Sequence, residues 1–330
     1  MRLTLFLFPC FLFFSFLLSP LLLPAQNIEI DTTYIESIRY PARINGGLRF
    51  RDRTVDFSTA GRETFRLENR GLAARIGGRY KAVSYTFSIP ISDLGTGSNL
   101  EQGSSLGLAL QFYRPKFYLL TDVRKTKGFR TLRPGMPASF RPDVELLTAT
   151  LFGFHVLRHD KFSFRSAFKQ KGRQLRSSGS LLLGGLVNRQ VLSADSITIP
   201  LSSEGNINIT KFRQHKLGIG AGYAYTYAFD EFWSITPAVF GGAEFRFIDY
   251  DLFGSQRERE RFRVSPRIRA RLAFGYNGRR NYAALTGIYL PSVDATDNLD
   301  TRVGNLQIEL RIGRRLGKPM QGAGGVVPMD

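Results

Sequence analysis

The chain is 330 residues long, 43% hydrophobic and 13% aromatic, with a formal charge of +19 and a pI near 10.4. In a cytosolic protein such an excess would suggest nucleic acid. An export signal at the N-terminus argues against that partner, so no nucleic acid is expected, and the charge must serve a polar lumen, anionic headgroups or a small anionic solute. The single cysteine, Cys10, lies inside that signal, which leaves the mature chain without a thiol for a disulfide or a thiolate metal site.

In chain order, residues 1–25 read as a signal peptide. Arg2 is their only charge, Leu3 to Leu23 is almost wholly apolar, and Pro24-Ala25-Gln26 supplies a break and a small residue for cleavage. A retained anchor is the competing reading, because the run approaches the length of a bilayer span. Residues 26–42 are expected to form a short periplasmic lead, 43–316 a β-barrel, and 317–330 a flexible tail rich in glycine and proline. Past the signal there is no apolar run long enough for a membrane helix.

A strand that crosses a membrane alternates, with apolar groups toward lipid and polar or small groups toward the lumen. Between Lys216 and Phe229, the residues Leu217, Ile219, Ala221, Tyr223, Tyr225, Tyr227 and Phe229 fall on one face, and Gly218, Gly220, Gly222, Ala224, Thr226 and Ala228 on the other. Between Phe262 and Tyr276 both faces are extreme. Val264, Ile268, Leu272 and Phe274 oppose Arg263, Arg267, Arg269 and Arg271. The same rule marks Leu72–Tyr80, Val83–Ile91, Leu106–Phe112 and Leu306–Ile312. Weaker candidates are Ile44–Phe57, Lys116–Val123, Glu145–Leu157, Phe162–Phe168, Ser180–Gln190, Trp233–Phe247 and Tyr282–Leu290. Aromatic residues near strand ends (Tyr80, Phe112, Tyr227, Trp233, Phe247, Tyr276 and Tyr282) are placed for interfacial girdles.

Connections alternate between tight (Arg114-Pro115, Arg158–Asp160, Asn277–Arg280) and long and polar (Asp93–Gly103, Arg124–Asp143, Asp249–Glu260, Pro291–Asp300), as short periplasmic turns and longer outer loops would. The roughly 13 candidate strands make an odd number, whereas single-chain bacterial barrels take even ones. The rhythm slips between Phe168 and Arg213, where Ser193–Thr210 could hide a strand or Phe162–Gln190 hold one fewer. The expectation is an all-β fold, a transmembrane antiparallel β-barrel of about 12 strands, with 10 or 14 as alternatives.

Three passages resemble a family called domain of unknown function 4421, found in Bacteroidetes-type bacteria: Asp31–Ser37, the run Lys169–Gly185 (KQKGRQLRSSGSLLLGG), and Gly218–Phe229 with the strand from Trp233. The resemblance covers nearly the whole mature chain. It implies placement in the outer membrane of a Gram-negative cell, brings no catalytic residues, and leaves the function open. The last strand departs from the usual aromatic ending, since Leu316 precedes an added tail.

Little in the sequence suggests chemistry. His155 and His159 would lie about 13 Å apart along a strand, and further ligands are missing, so neither a metal nor a cofactor is expected. Ser163, Ser166, His155 and Asp160 are near in sequence, but a hydrolase needs a positioned triad. Asp294, Asp297 and Asp300 lack the glycine and terminal glutamate of a calcium loop. The leading candidates are the residues expected to line the lumen: Arg75, Arg79, Glu244, Arg263, Arg267, Arg269, Arg271, Glu309 and Arg311. They read either as an anion-attracting constriction or as side chains that pair with inward Glu244, Glu309 and Asp122 and fill a narrow lumen, the second being preferred. The expected function is a non-enzymatic outer-membrane barrel, a narrow pore or a surface scaffold, with outer-membrane lipid and lipopolysaccharide as partners. The rivals are a barrel enzyme acting on lipid or lipopolysaccharide, and a soluble periplasmic β-sandwich that binds an anionic ligand.

Overall fold

In a computed structural model, residues 28–59, 62–80, 83–92, 103–201, 205–252, 257–259, 262–294, 300–319 and 326–327 are described. The signal peptide and the centres of the Asp93–Gly103 and Asp294–Asp300 segments lie outside the described residues. The strands are β1 (Ile28–Glu29), β2 (Ile35–Glu36), β3 (Ala42–Thr59), β4 (Arg62–Tyr80), β5 (Val83–Ser92), β6 (Ser104–Tyr113), β7 (Phe117–Arg133), β8 (Met136–Val156), β9 (Arg173–Gln174), β10 (Ser178–Leu201), β11 (Gly205–Ala228), β12 (Trp233–Leu252), β13 (Arg257–Arg259), β14 (Arg263–Asn277), β15 (Asn281–Tyr289), β16 (Ser292–Asp294), β17 (Asp300–Leu316) and β18 (Val326–Val327). The one helix among the described residues is α1 (Phe164–Lys169).

The alternation read from the sequence sets the wall. Along β11, Ile219, Tyr223, Tyr225 and Tyr227 are exposed on the outer surface while Ala224 and Thr226 are buried within. On β14, Val264, Ile268, Leu272 and Phe274 face out, and Arg269, Arg271 and Ala273 face in. Ten strands close into an antiparallel ring in the order β4-β3-β17-β15-β14-β12-β11-β10-β8-β7, and the short pairing of β4 with β7 completes it. Arg66, Leu67 and Glu68 meet Leu132, Thr131 and Arg130 there, and Arg130 reaches the Glu68 carboxylate at 3.5 Å. Two further strands lie outside the ring: β5 adds to β4 over Leu72–Tyr80, and β6 adds to β7 over Tyr118–Lys127. Closure hides the ladder edges that an open sheet would present.

The outer surface carries an apolar band between two sets of aromatic rings. Trp233, Phe274, Tyr276 and Phe229 cluster near the turns, with Trp233 5.2 Å from both Phe274 and Tyr276. Phe245, Phe247 and Phe262 cluster farther up. The ten residue steps from Ile235 to Phe245 measure about 33 Å of strand, or ~23 Å along an axis tilted by about 45°. That is the height of a bilayer core. Tyr282, expected in a girdle, is instead buried inside against Arg315.

Beyond the upper rings the strands continue and their faces invert. Outside, Arg70–Asp52 (3.1 Å), Arg66–Asp56 (2.5 Å) and Arg213–Asp251 (2.6 Å) form ion pairs. Inside, Val55, Phe57, Phe65, Leu67, Phe129, Val144, Leu146, Leu192, Ile197, Ile209, Phe212, Ile248 and Val303 form an apolar cluster. The polar stretch Arg124–Asp143 is therefore not a long loop. β7 and β8 run through it to a hairpin at Pro134-Gly135, where Gly135 takes a φ of +74° that suits glycine. The described residues of Ser193–Thr210 likewise hold no extra strand, only the ends of β10 and β11.

The candidate strand Phe162–Phe168 is helix α1, preceded by a turn. Its alternating phenylalanines misled because α1 is packed on several sides: Phe164, Ser166, Ala167 and Phe168 are all buried. Ser163 caps it, accepting the Ser166 N–H at 3.1 Å. The link from β8 to β10 thus folds into the barrel mouth as a plug. β9 of this plug pairs with β2 of the lead, and β1 pairs with β18, joining the two ends of the described chain. No helix of the described residues is long and apolar enough to cross a membrane.

Candidate functional site in the arginine-lined lumen

Inward positions of a closed barrel converge on one axis, so the arginine rows meet inside it. Seven of the nine predicted residues divide among three settings. Glu309 on β17 faces Arg49 across the β3 ladder and binds Arg49 (3.1 Å), Arg75 (2.5 Å) and Arg311. Glu244 on β12 binds Arg246 (2.9 Å) and Arg267, and is only 2% exposed. Arg269 and Arg271 are held by rings instead. The Arg269 guanidinium lies 4.0 Å above Phe152, and Arg271 lies 4.9 Å from the Tyr118 ring while donating to its hydroxyl at 3.1 Å. Arg79 is half-buried on β4 opposite Arg43, and Arg263 is half-buried at the upper end of β14 opposite Arg246. Asp122, also expected to pair, is met by Arg124 at 3.2 Å.

Several interior cations escaped the sequence reading. Arg43, Arg49, Arg51 and Arg53 form an inward row on β3, whose period was visible opposite Ile44 and Leu48 but whose facing was not assigned. Lys216 and Arg246 are buried near Glu244. Lys169 and Lys171 sit in the plug, which the strand assignment had hidden.

Among the described residues, two of the cavities lie between these charged groups. The central one, of about 140 Å³, is bordered by Arg51, Arg53, Asp122, Lys216, Glu244 and Arg267. It is capped above by the apolar cluster and below by the aromatic packing of Tyr118, Phe152, Phe154, Phe164 and Phe168 around α1. The second, of about 130 Å³, is bordered by Arg43, Arg75, Lys169, Lys171 and Arg311, with Thr86 of β5 and Gln111 and Tyr113 of β6. Among the described residues, no carboxylate borders it. Burial beside Arg43, Arg79, Arg165 and Arg114 pushes the Lys171 ammonium down to about 7, and burial holds Lys169 well below the usual lysine range.

The plug is locked to the rim. Arg315 donates to the Gln170 carbonyl at 2.8 Å and to the Asn277 side chain, and Asn277 donates to the Gly172 carbonyl. Arg173 pairs with Glu36 at 2.6 Å and with Glu231 at 3.3 Å. Gln170, with a φ of +50°, ends α1 in the left-handed region and turns the chain toward these contacts.

The residues considered for hydrolysis are not assembled. Ser163 accepts from Ser166 at 2.8 Å as part of the helix cap, and His155 is exposed on β8. Among the described residues there is no group of three His, Cys, Asp or Glu side chains placed to hold a metal.

A model of the family described as "Domain of unknown function (DUF4421)" matches residues 29–313. No curated protein matches the chain. Among solved structures, the chain is similar to the outer membrane protease OmpT from Escherichia coli, with 10% identity over 85% of this chain and 99% of that one and a TM-score of 0.42. It is similar to the β domain of the Bordetella autotransporter BrkA, with 12% identity over 81% and 98% and a TM-score of 0.39. The translocator domain of the autotransporter NalP from Neisseria meningitidis aligns with 12% identity over 87% and 90% and a TM-score of 0.37. Likenesses at this level assign no role to any residue, and the barrel stands on its own strand pairing.

Proposed function

Because the chain belongs to the family described as domain of unknown function (DUF4421), a description that names no reaction, we propose from the lumen that it is a non-enzymatic outer-membrane β-barrel, closed to free diffusion, whose cationic interior binds an anionic group. The outer-membrane placement is supported by the apolar band between aromatic rings and by the family resemblance. The observation that carries the closed reading is the stack inside the barrel. The apolar cluster, the pocket of about 140 Å³ and the aromatic plug follow one another along the axis. Small barrels are commonly filled in this way, whereas wide ones conduct. The surplus of arginine and lysine over Glu244, Glu309 and Asp122 supports binding of an anion. The helix-capping role of Ser163 supports the non-enzymatic reading.

The test is the mature chain refolded in detergent micelles and then reconstituted in a planar bilayer. A heat-modifiable mobility shift with no stepwise conductance is expected. Stepwise conductance with anion preference would replace the closed reading by a pore. A water-soluble β protein with no mobility shift would overturn the membrane placement altogether.

A further inference from the structure

The central pocket gathers more positive charge than its own carboxylates offset. Among the described residues, Arg51, Arg53, Arg124, Lys216, Arg267 and Arg269 border it together with two carboxylates, Asp122 and Glu244. Both carboxylates are already engaged, Asp122 by Arg124 at 3.2 Å and Glu244 by Arg246 at 2.9 Å and by Arg267. Arg51, Arg53 and Arg269 have no ion pair among the described residues. Arg53 is 7% exposed and donates only to the Thr126 and Thr148 hydroxyls, each at 3.3 Å, while its Nε has no partner. Arg269 is 5% exposed and makes no hydrogen bond; the Phe152 ring, 4.0 Å away, is what its guanidinium rests on. Arg51, two residues before Arg53 on the same inward row, makes no hydrogen bond from its side chain either.

A guanidinium does not give up its proton in a protein, so these groups cannot relieve their burial by becoming neutral. A ring face or a hydroxyl offsets part of the desolvation cost but cancels no charge. A bound anion does both. The geometry selects its shape. Arg51 and Arg53 enter from β3, and Arg53 reaches Thr126 on β7 and Thr148 on β8. Arg269 enters from β14 and reaches Phe152 on β8, four strands away around the ring. Donors that arrive from separate walls do not share a plane. A carboxylate takes its donors near one plane, whereas a tetrahedral oxyanion accepts them from all sides. The pocket of about 140 Å³ is also several times the ~10–15 Å³ that one water needs, so an oxyanion and bridging waters fit together. With the apolar cluster above and the aromatic packing below, the position suits an ion enclosed as the strands close.

We infer that the central pocket holds one tetrahedral oxyanion of two charges, of the phosphate or sulfate kind, bound by Arg51, Arg53 and Arg269 as a resident counterion of the folded barrel. The inference rests on the closed, anion-binding reading above and gives the anion its place, its chemistry and its stoichiometry.

The full mature chain, refolded in detergent micelles with radiolabelled inorganic phosphate, is passed into phosphate-free buffer and counted. One phosphate retained per chain is expected, and excess unlabelled sulfate present during refolding should replace it. The urea midpoint of the wild type should rise with phosphate by mass action, beyond the rise in sodium chloride of equal ionic strength. The double variant Arg51→Met/Arg269→Met should retain about tenfold less phosphate, having lost two charged donors, and its midpoint should no longer respond to phosphate. No retained phosphate in a folded wild-type chain, an equal midpoint rise in chloride, or equal retention by the variant would overturn the proposal. Malonate replacing phosphate as well as sulfate does would also overturn it, showing a site for carboxylates. The heat-modifiable shift and the bilayer recording on the same samples separate the two readings. Stepwise conductance would strike the closed barrel, whereas a folded, non-conducting chain without phosphate would strike this site alone.

Discussion

Replacing Glu309 with Gln keeps the side chain's size and removes one charge from the place where three strands meet. Arg49 (β3), Arg75 (β4) and Arg311 (β17) all point their guanidinium groups at this carboxylate, with contacts of 3.1 Å for Arg49 and 2.5 Å for Arg75. An amide oxygen can still accept from one of them, so at least two charge-assisted bonds are lost and three neighbouring cations are left uncompensated. Removing one partner of a buried pair costs about 3–5 kcal/mol. The arginine side chains keep 16–17% exposure toward the lumen against 6% for Glu309, which places the expected loss near the low end, ~3 kcal/mol. Urea unfolding from lipid vesicles, followed by the fluorescence of Trp233, the chain's one tryptophan, measures it. Adding Arg75→Gln to Glu309→Gln should recover part of the loss, because one uncompensated charge goes with it. A loss below about 0.5 kcal/mol, the size of an ordinary surface substitution, would refute the idea that this carboxylate holds the three strands together.

Other expectations follow from facing, packing and charge. Ile268→Arg or Leu272→Arg should hinder insertion, at a cost of about 2–4 kcal/mol near mid-bilayer, while Arg269→Ser should insert normally; a vesicle folding assay that finds both positions equally tolerant would refute the facing. At Gly184, an added Cβ would lie 2.1 Å from the Gly153 carbonyl oxygen, so Gly184→Val should destabilise the β8–β10 ladder by about 1–3 kcal/mol, read as a lower urea midpoint. Lys171 is pushed down to about 7 by burial among Arg43 on β3, Arg79 on β4, Arg165 on α1 and Arg114 before β7. The unfolded chain therefore binds more protons between pH 7 and 10, and without a bound anion wild-type stability should rise with pH by up to ~1 kcal/mol per unit over that window. Lys171→Met should reduce the slope by its share, Lys169 keeping part of the rest, and an unchanged slope would remove Lys171 as a source.

The alternation in Lys216–Phe229 and Phe262–Tyr276 was enough to tell the inner face from the outer one, because strand geometry sends neighbouring side chains to opposite faces whatever surrounds them. The arginine rows and the inward Glu244 and Glu309 were legible for the same reason. So was the Asn277–Arg280 turn, whose Asn-Gly pair carries its own local preference. The plug was not legible: Phe162, Phe164 and Phe168 mimic a strand, and only the lumen explains why a six-residue helix is apolar on several sides. Nor was the Arg124–Asp143 hairpin, since beyond the apolar band the strand's outer face turns polar and resembles a loop.

What the sequence determined alone was local: which segments extend, which face of each is apolar, and that the interior would be cationic. Only the tertiary structure decided that ten strands close while β5 and β6 stay outside, that Glu309 meets arginines 260 and 234 positions away, and that the plug fills the mouth. Those outcomes depend on register and ring closure, which join residues far apart in the chain and leave no trace in any local window.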